Sequence, residues 1–362
     1  MNTRPDDVFR PVSPWSSVGS AILKVALLAA IIAGYEVMWR VGGRGAFMVP
    51  TIARGFRGNT ILGAFGSAAA SARVLKLDAS ATASAIGASG SFTAGLLKPL
   101  NVGTMERAFQ QASNTQAGVM AAFLAADGLR GCTSVLEGFG GLYKSFMDVD
   151  AFPQDALQGL GTEFHFSETF AKPYPSAGSN TVGLAVLDKL LASNSVRGED
   201  IVAMTVEVVP RFTGRPGYPA IANPGPFENL EHALISFPFG LACLAIKGSV
   251  TLESLREALK DPRVSALAGR LELKGVEVPY PLWCRISVVD KEGSSYIATS
   301  EEIDWSHFYL TRDSAVRKFL MAASPFLGRE SAANALALVL DLDRQPSLTS
   351  LAKWLGSRAR TA

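Results

Sequence analysis

The sequence predicts a mostly α-helical fold: a helical bundle built from both chain ends, with an α+β lid inserted between them. From Ser17 to Leu136, apolar residues recur at spacings of three and four and alanine is abundant, which is typical of helices. β-branched segments appear between residues 201 and 300. The helical pattern returns from Arg312 to Ser357, so we expect the C-terminal helices to rejoin the first bundle.

The first helical region contains two stretches of small residues, Gly63–Ala72 and Ala79–Gly95. Small side chains allow helices to approach closely, which favours a compact bundle. A phosphate-binding loop is the alternative, but these glycines match neither the P-loop nor the dinucleotide-binding spacing.

The middle of the chain changes character. Loops run from Phe139 to Tyr174, and Lys172–Ser176 is predicted as a proline-fixed turn. A helix follows at Thr181–Ala192. Strands are predicted at Ile201–Pro210, Leu282–Asp290 and Ser294–Ser300, with a hairpin turn at Asp290–Gly293 and two intervening helices at Phe227–Ile246 and Leu252–Leu259.

These patterns set the expected domain organisation. Residues 1–171 are the first part of the helical domain, residues 172–300 the α+β lid, and residues 301–362 the C-terminal return, which includes a helix at Glu330–Leu342. Ligands commonly bind where two such domains meet, so we expect the site there.

Composition excludes several classes of protein. Hydrophobic residues make up 48% of the 362 residues and charged residues 18%, which indicates a globular chain. The net charge of +2 has no basic run behind it, so no nucleic-acid partner is expected. Cys132, Cys243 and Cys284 lie far apart and form no CxxC pair, which argues against a zinc or iron–sulfur site and fits a reducing compartment.

A membrane location is not expected. Ala21–Val37 is interrupted by Lys24 and Glu36, and the apolar run Val25–Tyr35 is shorter than the roughly 20 residues a spanning helix needs, so a buried core helix is predicted. Met1–Pro14 lacks the apolar region of a signal peptide. We therefore predict a cytoplasmic protein.

Five segments, taken in order, resemble motifs of one known family. The segment RGFRGNTILGAFGSAAASARVLKLD, for example, is similar to GFHPTGTLGAFGAAAAAARLLGLD of the MmgE/PrpD family, which includes 2-methylcitrate dehydratase and cis-aconitate decarboxylase. The five segments are Ile31–Gly42, Arg54–Asp78, Gly103–Gly118, Lys172–Thr181 and Ala233–Leu255. The resemblance implies a helical domain with an α+β lid, a homodimer, no metal or other cofactor, and lyase or epimerase activity on small polycarboxylic acids.

Compared with the family, this sequence is divergent and is expected to be shortened at its N-terminus. At positions where the family carries histidine, lysine or arginine, it has Arg57, Arg107, Gln110, Ser113, Gly178 and Thr181. Arginine binds carboxylates but does not exchange protons near neutral pH, and glutamine and threonine do not titrate. We therefore predict Arg57, Arg107, Gln110 and Thr181 as substrate-binding residues, together with Tyr218 from a proline-rich loop.

Three titratable residues are the candidates for catalysis: Asp7, Lys172 and Tyr174. A lysine desolvated in a pocket can have a lowered pKa and act as a base. The alternative is that Lys172 only caps a turn and that Tyr174 is a packing aromatic. His165, His232 and His307 fall on none of the family's histidine positions. His232 is expected to be structural, and His165 is expected to lie in a loop or short strand.

Three functional hypotheses remain. The first is a hydro-lyase, carboxy-lyase or epimerase of the family, acting on an anionic acid such as an alkylcitrate or cis-aconitate. The second is a degenerate relative that binds an acid or a partner subunit without turnover. The third is a shortened product with exposed apolar bundle surface.

Overall fold

The computed structural model describes residues 17–213, 218–279, 282–309, 311–342, 348–349 and 351. Within these ranges the chain is mostly helical and contains one four-stranded sheet, which confirms the predicted fold class. Two compact units are present: Met1–Ile32 grouped with Thr311–Ala362, and Ala33–Leu310. Asp7 lies outside the described residues. The domain boundaries at residues 171/172 and 300/301 stay a prediction.

Most of Ser17–Leu136 is helical, as predicted, whereas a short helix at Leu142–Met147 lies in the stretch that was predicted as loops. The helices are α1 Ser17–Val41, α2 Met48–Ala53, α3 Gly58–Val74, α4 Ala79–Ser89, α5 Lys98–Val102, α6 Glu106–Ala126 and α7 Leu142–Met147. Small residues bring α3 and α6 together: a methyl group at Gly118 would lie 2.2 Å from the Ala64 carbonyl oxygen. Ala72, Ala85 and Ala122 are fully buried between these helices and α4.

Helix α1 is not buried on all sides, so the prediction of a buried core helix is wrong for one of its faces. Leu28 and Tyr35 are 52% and 47% exposed, whereas Ala30 is buried. Even so, no helix of the described residues has the length and apolar character needed to cross a bilayer.

A buried ion pair fixes the C-terminal half of α1. Arg40 Nε donates to Glu36 Oε1 at 2.6 Å, and both residues are less than a tenth exposed. Arg40 Nη1 also donates to the carbonyls of Ala156 and Gln158, and Glu36 Oε2 accepts from the His165 backbone N–H at 2.9 Å. His165 itself lies in a loop directly before the 3-10 turn Phe166–Glu168, which agrees with the predicted loop.

The remaining elements follow in chain order. They are α8 Thr181–Asn194, β1 Ile201–Val208, α9 Leu230–Ala233, α10 Phe237–Lys247, α11 Leu252–Ala258, α12 Pro262–Gly269, β2 Leu271–Gly275, β3 Cys284–Asp290, β4 Ser295–Thr299, α13 Arg312–Leu327 and α14 Arg329–Leu340. The sheet order is β2-β1-β3-β4. Strand β1 runs parallel to β2 and antiparallel to β3, and β3 and β4 form the predicted hairpin.

Two predictions for this region are corrected. The single helix predicted at Phe227–Ile246 is divided into α9 and α10, because Ser236 Oγ caps α10 by accepting from the Phe239 N–H at 3.0 Å and Pro238 occupies its first turn. Helix α12 and strand β2 were not predicted. Strand β2 is a short edge strand with only two apolar residues, so its period-two pattern is weak.

One core joins the sheet to the helices around it. Met204, Val206 and Val208 of β1 point inward and are at most 1% exposed, while the intervening residues are less buried, as a half-buried strand requires. The same core includes Leu97 and Leu100 of the α5 region. This shared core holds together the two groups of elements that form the pocket described next.

Candidate functional site

A pocket with a volume of about 690 Å³ lies within the unit Ala33–Leu310. Its walls come from α2, the start of α3, α5, the start of α6, the loop at 172–179 and the segments around residues 211, 220 and 234. Leu97, Leu100, Ile221 and Ile235 contribute buried apolar surface. This size lies within the range of pockets that hold small molecules.

Positive charge dominates the polar part of the lining. Four cationic residues line the pocket: Arg57, Arg107, Lys172 and Arg211. Among the lining residues that the structure describes there is no aspartate, glutamate or histidine. A concave site lined by one sign of charge attracts ligands of the opposite sign, so the pocket is suited to an anion.

Arg57 is the most buried of these cations, at 9% exposure. It directly precedes α3, and its N–H donates to the Gly95 carbonyl at 2.8 Å. Its Nη1 donates to the Arg107 carbonyl at 2.9 Å and to Gln110 Oε1 at 3.0 Å. Burial lowers the pKa of Arg57, and the neighbouring Arg107 charge acts in the same direction, whereas Tyr218 opposes it.

The charged guanidinium group of Arg57 therefore donates its hydrogen bonds to neutral oxygen atoms only, among the described residues. No carboxylate of the described residues lies within ion-pair distance of its guanidinium group. A buried charge is costly unless it is paired. An incoming carboxylate would supply the missing pair.

Arg107 has a partner within the chain. Its Nε and Nη2 donate to Glu231 Oε2 at 3.1 and 2.5 Å, which connects the first turn of α6 to α9. The two side chains are 41% and 32% exposed, so solvent partly screens the pair. Arg107 thus contributes less net positive charge to the pocket than Arg57 does.

Lys172 lines the pocket but is exposed, and its Nζ donates to the Ser176 carbonyl at 3.2 Å within the predicted turn. The desolvation that would lower the pKa of a lysine is absent from this exposed side chain, and the catalytic role of Lys172 stays a prediction. As an exposed ammonium group it contributes positive charge to the pocket.

Tyr218 brings a hydroxyl group to the lining, as predicted. Burial raises its pKa to about 12, although the positive charges of Arg57 and Arg107 act in the opposite direction. The phenol is therefore neutral at physiological pH and can donate a hydrogen bond or a proton.

Three predicted site residues do not line the pocket. Gln110 contacts it indirectly, since it binds Arg57 and donates from Nε2 to the Leu96 carbonyl at 3.0 Å. Thr181 is fully buried, and its hydroxyl donates to the Gly178 carbonyl at the start of α8. Tyr174 packs against the main core, where burial raises its pKa to about 12. Because neither Thr181 nor Tyr174 lines the pocket, neither is a candidate to contact the ligand.

Sequence reasoning missed Arg211, Ser176 and Ser179 in the lining, and it missed Glu231 behind Arg107. Arg211 follows β1 by three residues, and a basic residue just beyond a strand end is only a weak sequence signal. Ser176 and Ser179 lie in the segment that carries the KPYP motif. The contact of Glu231 spans 124 residues and has no local signature.

No group of three or more histidine, cysteine, aspartate or glutamate side chains in the described ranges is arranged to hold a metal ion. His232 packs its ring against Phe227 at 5.0 Å, and His307 lies close to Asp304. The pocket residues are better suited to binding carboxylates than to coordinating a cation.

Comparison with known proteins agrees with the sequence motifs. A family model described as the MmgE/PrpD N-terminal domain matches residues 14–155. Cis-aconitate decarboxylase from Homo sapiens is 25% identical over 312 residues, covering 80% of this chain and 60% of the relative. Cis-aconitate decarboxylase-like protein oryM from Aspergillus oryzae is 27% identical over 177 residues, covering 47% and 36%.

The chain therefore spans 60% and 36% of the lengths of these curated relatives. The matched N-terminal domain includes Arg57 and Arg107, and the longer alignment extends over most of the chain. Residues 14–155 are therefore identified as an MmgE/PrpD N-terminal domain, and the mostly helical fold with its single small mixed sheet is consistent with that family.

Proposed function

We propose that this protein is an MmgE/PrpD-type lyase that acts on a small polycarboxylic acid. The observation that carries the proposal is Arg57, a buried cation in the pocket with only neutral hydrogen-bond partners among the described residues. One substrate carboxylate binds Arg57, and the others bind among Arg107, Lys172 and Arg211. Arginine is suited to this role because its planar group can bind a carboxylate through two hydrogen bonds.

Decarboxylation fits the lining better than dehydration does. Dehydration needs a base to remove a carbon-bound proton, whereas the described lining offers no aspartate, glutamate or histidine. In decarboxylation, the carbon–carboxylate bond breaks and carbon dioxide leaves. The electron pair stays on the substrate carbon, conjugated with a remaining carboxylate, and that carbon then takes up a proton. The names of the two relatives support this choice.

The pocket residues take complementary roles in this reaction. The arginines stabilise the negative charge that spreads onto the remaining carboxylate. Tyr218, neutral at physiological pH, donates the proton to the carbanion, and the positive charges of Arg57 and Arg107 stabilise the phenolate that results. Lys172 supplies charge at the exposed side of the pocket.

A second candidate function is binding of the acid without turnover. The same lack of imidazole and carboxylate groups in the described lining favours it, because these are the groups that most often transfer protons in enzymes. Both candidates require an anion at Arg57, and only the first requires product.

The deciding experiment is a proton NMR assay of the purified protein with cis-aconitate, citrate and 2-methylcitrate. We expect conversion of at least one acid, loss of conversion in Arg57→Gln, and a large decrease in Lys172→Ala. Arg54→Gln is the matched control, because Arg54 is an exposed arginine three residues before Arg57. Turnover that survives Arg57→Gln would contradict the proposal. Ligand binding that depends on Arg57 without any product would establish the second candidate.

Two further expectations belong to the same proposal. The family resemblance implies a homodimer, and the sequence predicts a cytoplasmic location. Light scattering coupled to size-exclusion chromatography would test the first, and cell fractionation the second.

A further inference from the structure

Glu231 is a carboxylate that the protein itself places on Arg107, one of the cations of the pocket. It does not line the pocket, but Leu234 and Ile235, which follow it in the chain, do. Both of the short contacts it receives from Arg107 end on Oε2. The pair therefore resembles the contact that a ligand carboxylate would make with the same arginine.

The position of Glu231 is built into the fold. Gly103 ends α5 with a φ of +73°, and a methyl group there would lie 2.2 Å from His232 Cβ. Only glycine permits this approach of α9 to the α5–α6 connection. Asn229 caps α9 by accepting from the His232 N–H at 2.9 Å, which fixes the turn that carries Glu231.

The negative charge of Glu231 affects which anionic ligands the pocket binds. The two arginines are close enough for the charge of Arg107 to lower the pKa of Arg57. Glu231 compensates Arg107, while Arg57 has no carboxylate partner among the described residues. A ligand carboxylate near Arg107 meets the negative charge of Glu231, and this repulsion grows with the number of charges on the ligand.

We propose that Glu231 is a specificity-determining residue: it occupies Arg107 and shifts the preference of the pocket from tricarboxylates toward dicarboxylates. This inference rests on the proposed function, because it requires the pocket to bind an acid. Within the small polycarboxylic acids, it weakens the binding of a third carboxylate without excluding it. Arg57 then provides the primary carboxylate site and Arg107 a weaker one.

The test uses two inert ligands that differ by one carboxylate, propane-1,2,3-tricarboxylate and glutarate. Neither can be dehydrated, and isothermal titration calorimetry at constant ionic strength measures their affinities for the wild type and Glu231→Gln. Glutamine has nearly the same shape and can still accept from Arg107, so the change removes only charge. We expect affinity to rise roughly threefold for glutarate and roughly fivefold for the tricarboxylate, since repulsion scales with ligand charge.

Two further variants separate a charge effect from a positioning effect. Glu231→Ala should also raise affinity, whereas a residue that merely positions Arg107 would lower it when truncated and keep it unchanged as glutamine. Glu207→Gln removes a carboxylate that pairs with Arg285 on the sheet, away from the pocket lining, and should leave both affinities unchanged.

The outcomes distinguish this inference from the proposed function. A larger gain for the tricarboxylate in both Glu231 variants supports the inference. Unchanged or weaker binding in Glu231→Gln, with the wild type still binding through Arg57, overturns the inference and leaves the proposed function intact. If neither acid binds the wild type or any variant, the proposed function fails and this inference fails with it.

Discussion

Gln110 Oε1 accepts a hydrogen bond from Arg57 Nη1 at 3.0 Å, while Gln110 Nε2 donates to the Leu96 carbonyl. The amide is thereby oriented with its oxygen toward the arginine. Replacing Gln110 by alanine leaves Arg57 with one fewer acceptor and more freedom to turn away from the pocket. We expect the affinity for propane-1,2,3-tricarboxylate to fall about three- to tenfold, the range of one hydrogen bond.

Calorimetric titration of Gln110→Ala checks this prediction, and Gln116→Ala is the control, because Gln116 is exposed on the same helix. Equal affinities in the two variants would show that Arg57 does not depend on Gln110.

Tyr218→Phe removes only the hydroxyl group that we propose as the proton donor. The ring still packs, so KM should change little, whereas kcat should fall about a hundredfold, a typical loss for a proton-transfer group. Because burial raises the pKa of Tyr218 to about 12, the wild type should keep the phenol neutral through the alkaline range that the fold tolerates. A pH–rate profile with Tyr309→Phe as the control checks both points, and a kcat equal to that of the wild type would remove Tyr218 from the mechanism.

The ion pair of Glu36 and Arg40 makes stability depend on pH. Burial raises the pKa of Glu36, but hydrogen bonds from His165 and Arg40 together with the charge of Arg40 more than offset it, so the net pKa is lowered. The contribution of Glu36 is therefore complete above the ordinary glutamate pKa and is lost as pH falls through the lower folded-state value.

Glu36→Gln should destabilise the fold by about 3 kcal/mol at neutral pH, since it leaves the buried Arg40 without its counter-charge. The variant should also lose less stability than the wild type on acidification. Urea unfolding at neutral and acidic pH measures both effects, with exposed Glu168→Gln as the control. A pH dependence identical to that of the wild type would contradict the role assigned to Glu36.

Gly95 links backbone geometry to the pocket, because its carbonyl accepts from the Arg57 N–H and its φ is +156°. A methyl group at this position would lie 2.2 Å from Thr60 Oγ1. Gly95→Ala should therefore destabilise the fold and weaken anion binding together. Gly293, in the β3–β4 turn, also has a positive φ but open space around it. Gly293→Ala is therefore the control that introduces backbone strain without a steric clash.

We expect Gly95→Ala to cost about 1 kcal/mol or more beyond Gly293→Ala, the usual scale of overpacking. Thermal unfolding measures this difference, and anion titration should show weaker binding in Gly95→Ala only. Unaltered affinity in Gly95→Ala would mean that anion binding does not depend on the backbone position of Arg57.

The sequence predicted most of the fold because its signals are local. The β-branched runs gave β1, β3 and β4, and spacings of three and four gave the long helices. The division between α9 and α10 depends on the Ser236 cap and on Pro238, and the spacing of apolar residues does not detect either of them. Strand β2 depends on pairing with β1 along its length, a contact that its own five residues do not encode strongly.

For the site, motif placement predicted Arg57, Arg107 and Lys172, and a proline-rich loop predicted Tyr218. All four residues line one pocket. Motif placement did not predict that Lys172 is exposed or that Thr181 is sealed in the core, because burial depends on neighbours from distant segments. The contact between Arg107 and Glu231 is of the same kind, and only the folded chain reveals it.

The hydrogen bond from Arg57 to the Arg107 carbonyl ties one arginine side chain to the backbone of the other. The Arg57 guanidinium, which extends from the start of α3, is therefore held at the first turn of α6, the helix that carries Arg107. Such a site is selective for distance: an acid whose carboxylates match the spacing of the Arg57 and Arg107 guanidinium groups binds both at once. A shorter or longer acid of equal charge engages only one, so the length of the substrate backbone is selected as well as its charge.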